Sequence, residues 1–343
     1  MIIREVEKPR LRDLIGLSKY QSDKIIQDFL GNIKIIGSGK GAIAIIFKYL
    51  LEKGVIVNKL DEVLVADWVG YWVYNQIQQF TFPTKRFSNR CRAILVYHQY
   101  GFPQDMDKIL EFAHDKNLII IEDCAHSLKS YYKGKLLGTF GDFSIYSFSK
   151  WFFCFALGGV SSRFADFNSF ASHLIKDAPF GVTLYKDIFK YIYECSSFSK
   201  SVFFRKHAEL LLNTSYALYG EAFKTSWPAR SLLNSKIARE INIRQERYQY
   251  FLRETADFEI CGHLEREGIT PYIIPIYCPE AKNSILLKAL AERNIQSGLY
   301  HFDFGRNLLS PNFKKCILIP CHAGISDKVF SDITDLVVRI IKS

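Results

Sequence analysis

The chain has 343 residues, of which 48% are hydrophobic and 23% are charged, and its formal net charge is +10 at pH 7. This length is enough to bury a full core and is typical of two domains in a globular protein. No apolar run approaches the roughly 20 residues that cross a bilayer, so a membrane-spanning protein is not expected. The basic residues are spread along the chain, which favours an anionic small molecule over nucleic acid as the partner.

The N-terminus and the cysteines together predict a cytoplasmic protein. Residues 1–8 mix charges and lack an apolar signal core, so no export signal is expected. None of the eight cysteines forms a C-x-x-C pair, and several lie in apolar runs, as Cys316 and Cys321 do. We expect reduced, buried thiols, with neither a disulfide framework nor a metal site.

Short apolar strands alternate with helical patterns over the first half of the chain. Strands are predicted at residues 61–66, 92–97, 117–122, 143–147 and 159–162, and helices at 42–53 and 105–115. Apolar runs of this length between helices indicate strands that are buried on both faces. The pattern therefore predicts an α/β fold with a mostly parallel central sheet.

The second half of the chain has a different pattern. Aromatic and lysine residues recur at helical spacing between about 167 and 223, and residues 231–254 predict one long charged helix. A strand at 272–277, a helix at 284–293, a strand near 316–319 and a last helix from Asp327 follow. We therefore predict a large cofactor-binding α/β domain at 1–230. The long connecting helix and a small C-terminal α+β domain would occupy 231–343.

Two residues of the first half form a chemically informative pair. Asp123 ends an apolar strand, and Lys150 lies 27 residues later among aromatic residues, with two glycines following at 158 and 159. A lysine in apolar surroundings has a lowered pKa and becomes a nucleophile, and an aspartate can keep a pyridine nitrogen protonated. Each residue alone has an ordinary explanation, a surface lysine or a helix cap. Together they suit pyridoxal phosphate (PLP) chemistry, with Lys150 bonded to the cofactor aldehyde.

A glycine-rich turn offers a site for the phosphate. Ser38, Gly39 and Lys40 lie where a long helix begins, and helix N-termini favour anions. A nucleotide P-loop is excluded because Lys34 and Gly41 occupy its obligatory glycine and serine or threonine positions. A plain turn remains an equal alternative. The hydroxyl of Ser147, three residues before Lys150, could reach the same phosphate.

Two further side chains are candidates for contact with the cofactor ring. Trp68 follows the strand at 61–66 and is predicted to stack on the ring, although an aromatic residue in that position is usually part of the core. His126 follows Asp123 closely and could lie along the cofactor. Its alternative role is that of a hydrogen-bonded core histidine, and spacing alone does not separate the two.

These stretches, taken in order, resemble the DegT/DnrJ/EryC1/StrS family of PLP-dependent aminotransferases, which mostly aminate nucleotide-linked keto sugars. The likeness covers nearly the whole chain; it is specific between 92 and 160 and is not specific in 163–225. The matching motifs are the phosphate turn at 38–43, the strand at 61–68, His-x-Tyr-Gly-x-Pro-x-Asp-Met at 98–106, Ile-Glu-Asp-x-Ala-His at 121–126, the run at 133–142 and Ile-Pro-x-His at 319–322.

The resemblance implies a fold-type-I aminotransferase that works as a homodimer, with each site completed by the partner subunit. By position, Lys150 is the lysine that bonds to PLP, Asp123 is the partner of the ring nitrogen and Ser147 is a phosphate ligand. His126 takes the position of the Gln or His beside the cofactor. The chain departs from the family pattern at Lys40, where threonine is usual, and between Asp142 and Lys150, where two residues are missing.

The predicted activity is transfer of an amino group from an amino acid, glutamate by family analogy, to a keto sugar, which by the same analogy is nucleotide-linked. One alternative is a sugar dehydratase, in which histidine replaces the lysine; Lys150 argues against it. Another is a non-catalytic or regulatory protein that retains the fold. A third is weak membrane attachment through the aromatic, basic stretch at 185–212, although such stripes are more often helix faces packed on a core.

Overall fold

The computed structural model describes residues 2–10, 13, 15, 17, 24–199, 201–214, 216–258, 264 and 267–342. Helices alternate with strands through the first half of the chain. The helices are α1 (Lys24–Leu30), α2 (Gly39–Glu52), α3 (Tyr71–Gln78), α4 (Met106–Asp115), α5 (Phe167–Leu174), α6 (Phe180–Ser197), α7 (Val202–Thr214), α8 (Tyr216–Gly220), α9 (Trp227–Glu254), α10 (Glu280–Glu292) and α11 (Asp327–Lys342).

Within these ranges the strands form three sheets. They are β1 (Lys34–Ile36), β2 (Glu62–Val65), β3 (Phe82–Thr84), β4 (Cys91–Tyr97), β5 (Ile119–Asp123), β6 (Tyr131–Tyr132), β7 (Lys135–Leu136), β8 (Phe143–Ser147), β9 (Gly158–Ser162), β10 (Ile274–Ile276), β11 (Leu299–Asp303) and β12 (Phe313–Ile319).

The central sheet has the strand order β1-β9-β8-β5-β4-β2-β3. The neighbouring strands β3, β2, β4, β5 and β8 pair in parallel, whereas β9 pairs antiparallel with both β8 and β1. The prediction of a mostly parallel α/β sheet is therefore confirmed. The central strands are buried because α2 and α5 cover one face and α4 covers the other, as the grouping of their apolar side chains shows.

The C-terminal part forms an antiparallel sheet with the order β10-β12-β11, and α10 and α11 pack against each other beside it. One apolar cluster joins this part to the first, since Trp151 and Phe152 share it with Phe251 of α9 and Ile317 of β12. The boundary at residue 230 stays a prediction. Helix α9 begins four residues earlier than predicted, because Pro228 is tolerated in the first turn of a helix.

The segment after residue 163 is helical, as its spacing predicts, and α6 packs against α7. Among the described helices, none combines the length and the apolar character needed to cross a bilayer. The seven cysteines in the described ranges are free thiols and all but Cys195 are buried, which agrees with the prediction for them. Cys261 lies outside the described residues.

Candidate active site

A cavity of about 540 Å³ opens where β5 and β8 end. Because these strands are parallel neighbours, with Asp123 paired to Ile145, their carboxyl ends lie at the same edge of the sheet. Ligands of open α/β sheets bind beyond this edge, and the volume is typical of a small-molecule site. The remaining walls come from the N-terminal segment, the first turns of α2 and α3, helix α6, and the chain around Tyr272 and Tyr300.

Asp123 and Lys150 both line this cavity. Asp123 is the last residue of β5 and is buried, and its Oδ1 accepts a hydrogen bond from the backbone N–H of Ala125 at 3.0 Å. Lys150 ends a single 3₁₀ turn, Phe148–Lys150, that follows β8 directly. Its side chain keeps exposed surface, but that surface faces the cavity. The amine and the carboxylate predicted to act together thus line the same cavity.

The cavity walls shift the pKa values of both groups. Desolvation lowers the pKa of Lys150; the charge of Asp123 opposes this effect and that of Lys190 adds to it. Burial raises the pKa of Asp123, while Lys150 and the Ala125 hydrogen bond act in the opposite direction. A desolvated amine gives up its proton more readily, so Lys150 is suited to nucleophilic and proton-transfer chemistry.

His126 connects Lys150 to an aromatic wall. Its Nε2 lies 3.1 Å from Nζ of Lys150, and its Nδ1 lies 2.6 Å from the hydroxyl of Tyr97. The imidazole stacks on the ring of Tyr272, with 4.2 Å between centroids. Burial, followed by the charges of Lys150 and Arg244, holds the pKa of His126 well below its usual range. The ring is therefore neutral at physiological pH, and it is within hydrogen-bond distance of the Lys150 amine.

The glycine-rich turn brings the N-terminus of α2 to the cavity. The hydroxyl of Ser38, the N-cap residue, accepts from the N–H of Gly41 at 2.9 Å and donates to the carbonyl of Tyr219. Because the hydroxyl of Ser38 already serves these two groups, the backbone N–H groups of the first turn, at Gly39 and Lys40, are the better candidates for binding an anion.

Close packing places Ser147 beside this turn. A Cβ atom on Gly39 would lie 3.2 Å from the Cβ of Ser147. A Cβ atom on Gly158 would lie only 2.3 Å from the backbone N of Gly39, so glycine is required where β9 begins. Lys40 lines the cavity with its Nζ 4.6 Å from the ring centroid of Trp72, and burial lowers its pKa to about 7.

The residues of this cavity fit PLP in three respects. Lys150 offers an amine to an aldehyde, and the buried Asp123 offers a carboxylate to a ring nitrogen. Because Gly39 and Gly158 have no Cβ, the first turn of α2 packs closely against Ser147 and the start of β9. This turn and Ser147 form an anion cradle. This combination of donors and acceptors is the one that the cofactor's aldehyde, pyridine nitrogen and phosphate require.

The structure does not support the predicted position of Trp68. Its ring stacks on His301, with 4.5 Å between centroids, and it is not among the residues that line the cavity. The reason is that β2 ends at Val65 and the chain turns before α3 begins at Tyr71, which directs Trp72 rather than Trp68 to the cavity. The aromatic residues of the wall are instead Trp72, Tyr100 and Tyr272, among others.

Several charged residues of the cavity were not predicted. Arg4 comes from the N-terminal segment, and Lys190 and Glu194 come from α6. They lie far along the sequence from the recognisable motifs, and no local pattern distinguishes them from other charged residues. Trp72 belongs to the same aromatic stretch as Trp68, and the start of a helix at Tyr71 is the signal that could have identified it.

A buried cluster next to Asp123 has a structural role. The carboxylate of Glu122 accepts hydrogen bonds from the backbone N–H groups of Gly138, Phe140 and Gly141 at 2.7–2.8 Å, and lies 3.1 Å from Nε2 of His98. Cys124 lies close to both side chains. Since Glu122 is fully engaged by protein donors, the cluster anchors the loop between β7 and β8, and we assign no metal to it.

Comparisons with known proteins agree with this geometry. Residues 77–160 match the model of the DegT/DnrJ/EryC1/StrS aminotransferase family. A GDP-perosamine synthase of Escherichia coli O157:H7 is 50% identical over 64 residues, which are 19% of this chain and 18% of that protein. The first curated relatives are matched over 15–18% of their own length.

Solved structures extend the likeness to the whole fold. Helicobacter pylori PseC, an aminotransferase involved in the biosynthesis of pseudoaminic acid, superposes with a TM-score of 0.67 at 15% identity, covering 98% of each chain. The PLP form of Spr1654 from Streptococcus pneumoniae, described as a putative sugar aminotransferase, gives 0.64 at 14% identity, covering 98% of this chain and 97% of that one. The predicted resemblance is thus confirmed: the chain carries the DegT/DnrJ/EryC1/StrS family signature in residues 77–160 on a PLP-dependent transferase fold of type I.

Proposed function

We propose that this protein is a PLP-dependent aminotransferase that moves an amino group from an amino acid, glutamate by the family resemblance, to a nucleotide-linked keto sugar. One observation carries the proposal. The Lys150 amine and the buried Asp123 carboxylate line a single cavity beside the N-terminus of α2. An amine, a carboxylate and an anion cradle in one cavity are the three recognition elements that PLP needs.

When bound, PLP supplies an electron sink for the carbon from which a proton is removed. Asp123 would hold the ring nitrogen in its protonated form, and a charge-assisted hydrogen bond of this kind contributes about 1.5–3 kcal/mol. The N–H groups of the first turn of α2 and the hydroxyl of Ser147 would hold the phosphate. Lys40 would add a positive charge at the position where relatives usually have threonine.

Lys150 would also move the proton. Its Nζ, desolvated by the cavity walls, would accept a proton from the α-carbon of the amino donor, because a neutral amine is the better base. His126 would keep this amine in place through the contact at 3.1 Å, and Tyr272 would fix the imidazole by stacking on it. Both residues thereby act on the orientation of the base.

The class of acceptor is inferred from the relatives. A GDP-perosamine synthase and a UDP-N-acetyl-3-dehydro-alpha-D-glucosamine aminotransferase are among the sequence matches, and both names refer to nucleotide-linked sugars. The cationic side chains of Arg4, Lys40 and Lys190 in the cavity suit an anionic substrate of this kind. We further propose, on the resemblance alone, that the protein acts as a cytoplasmic homodimer.

Two lysine-to-alanine substitutions, one in the cavity and one on an exposed helix, test the activity. Wild type should show visible cofactor absorption and should transaminate members of a panel of nucleotide-linked keto sugars with glutamate as donor. Lys150→Ala should lose transamination and the borohydride-reducible bond to the cofactor, while Lys108→Ala, which removes an exposed lysine of α4, should keep both. Absence of cofactor absorption in the wild type, or transamination by the Lys150 variant, would contradict the proposal and would favour a non-catalytic role.

A further inference from the structure

Helix α6 places an ion pair on the cavity wall. Nζ of Lys190 lies 2.6 Å from Oε1 of Glu194, and both side chains are about four-fifths buried, at 18% and 20% exposure. Tyr193 and Phe198 line the same wall. The helix lies outside residues 77–160, the part of the chain that matches the family model.

Helix stability does not account for this pair. A Lys–Glu pair four residues apart adds little to a helix, and the order found here, with lysine first, is the less favourable one. Removing both charges from water is costly, so a buried pair is a weak source of stability. Lys190 lines the same cavity as Lys150, and its charge helps to lower the pKa of the Lys150 amine.

A second cation on the same wall has unused hydrogen-bonding capacity. The guanidinium of Arg4 contacts Glu5 at 3.4 Å and lies 5.6 Å from the ring centroid of Phe198. Its Nε is buried and has no hydrogen-bond partner among the described residues. A buried donor without an acceptor costs free energy, which a ligand oxygen could offset.

We propose that Lys190 and Arg4 form the binding site for an oxyanion of the substrate, a carboxylate or a phosphate, with Glu194 holding Lys190 in place until the anion arrives. The proposal rests on the function proposed above, because it assigns the substrate anion of that same cavity. Guanidinium and ammonium groups are the usual partners of both oxyanions. Among the described residues, Arg4 has Glu5 as a carboxylate partner at 3.4 Å, and Lys190 has Glu194 at 2.6 Å.

The experiment measures dissociation constants by calorimetry on the full chain after incubation with excess PLP. Glutarate serves as the dicarboxylate probe and UDP as the nucleoside diphosphate probe, so that the probe affected identifies the source of the anion. We expect Lys190→Met and Arg4→Met to weaken one probe about tenfold or more. Lys190→Arg should retain binding. The matched control is Lys108→Met on α4, which loses an exposed helical ion pair and should bind as wild type does.

The variant Glu194→Gln separates ligand binding from a purely structural role. If Glu194 competes with the substrate anion for Lys190, its removal should tighten the affected probe about two- to fivefold. A structural pair predicts instead that Lys190→Met and Glu194→Gln lower the melting temperature alike and leave both dissociation constants unchanged. That result would overturn the proposal, as would wild-type affinity of Lys190→Met for both probes.

The outcome also separates this proposal from the proposed function. If Lys150 carries no cofactor and Lys190→Met still loses a probe, the aminotransferase assignment fails and the anion site stands. If the cofactor is bound and Lys190→Met binds both probes normally, the anion site fails and the aminotransferase assignment stands.

Discussion

Gly158→Ala should distort the anion cradle between α2 and Ser147. Gly158 begins β9 and pairs with Ile36 on one side and Ser147 on the other, so its backbone is held by two neighbouring strands. A new Cβ would lie 2.3 Å from both the backbone N of Gly39 and the carbonyl carbon of Ser38. Real Cβ contacts essentially never fall below 3.0 Å, so the peptide between Ser38 and Gly39 would have to retreat by about 0.7 Å.

Neither partner in this contact can rotate away, because both are backbone. Overpacking of this kind costs about 1–3 kcal/mol of the free energy of unfolding. The displaced turn also starts α2, and misplacement of a binding group by about 1 Å can cost about 100-fold in rate. We therefore expect a lower urea midpoint for unfolding. We also expect PLP to be retained at least tenfold more weakly, which its visible absorption during dialysis measures.

Gly181→Ala is the matched control. Gly181 lies within α6, and a Cβ there would meet no atom within 4 Å. Alanine at an unstrained glycine site stabilises a protein by about 0.4–1 kcal/mol, so the two substitutions should change the urea midpoint in opposite directions. A Gly158→Ala protein that unfolds at the wild-type midpoint and keeps its cofactor would refute the reasoning.

Three further substitutions test other parts of the site. Glu122→Gln turns an amide N–H₂ toward backbone donors that the carboxylate now accepts, and should lower the free energy of unfolding by about 2 kcal/mol or more; an unchanged urea midpoint would contradict this. Because burial lowers the pKa of Lys40 to about 7, Lys40 is charged below that pH and loses its charge as the pH rises through it. Sulfate should therefore bind the cofactor-free protein more weakly at pH 9 than at pH 6, and Lys40→Arg should reduce this dependence; the same pH profile in both proteins would exclude Lys40 as its source. Trp68→Ala removes the stacking on His301 and should lower the free energy of unfolding by about 0.5–1.5 kcal/mol, while cofactor retention stays unchanged. Loss of cofactor from a folded Trp68→Ala protein would show that Trp68 belongs to the site after all.

The strands that the sequence predicted are those buried on both faces. The prediction for β8 at 143–147 agrees with the structure because Phe143, Ile145 and Tyr146 give this short stretch a high β propensity, and all three are buried. The short strand β3 was missed because it contains Pro83, which is tolerated only at a sheet edge, where β3 lies. The strand β11, at an edge of the small sheet, was missed because its exposed first half lacks an apolar run.

The predicted site residues that line the cavity are those whose position follows from the end of a strand. Asp123, Ser147 and Lys150 line one cavity because each lies at or just after the end of a parallel strand, and parallel strand ends coincide. The side chain of Trp68 depends on the turn after β2, which alternation along the strand does not determine. Lys190 and Arg4 reach the cavity only through tertiary packing of distant segments, so no motif marks them.

The identity of the reactive amine is tested most directly by trapping it. Borohydride treatment of the purified protein, followed by proteolysis and mass spectrometry, should place a reduced pyridoxyl phosphate group on the peptide that contains Lys150. The peptides of Lys40 and Lys190, which line the same cavity, should stay unmodified. A label on either of those lysines, or no label on any peptide of cofactor-saturated protein, would contradict the account.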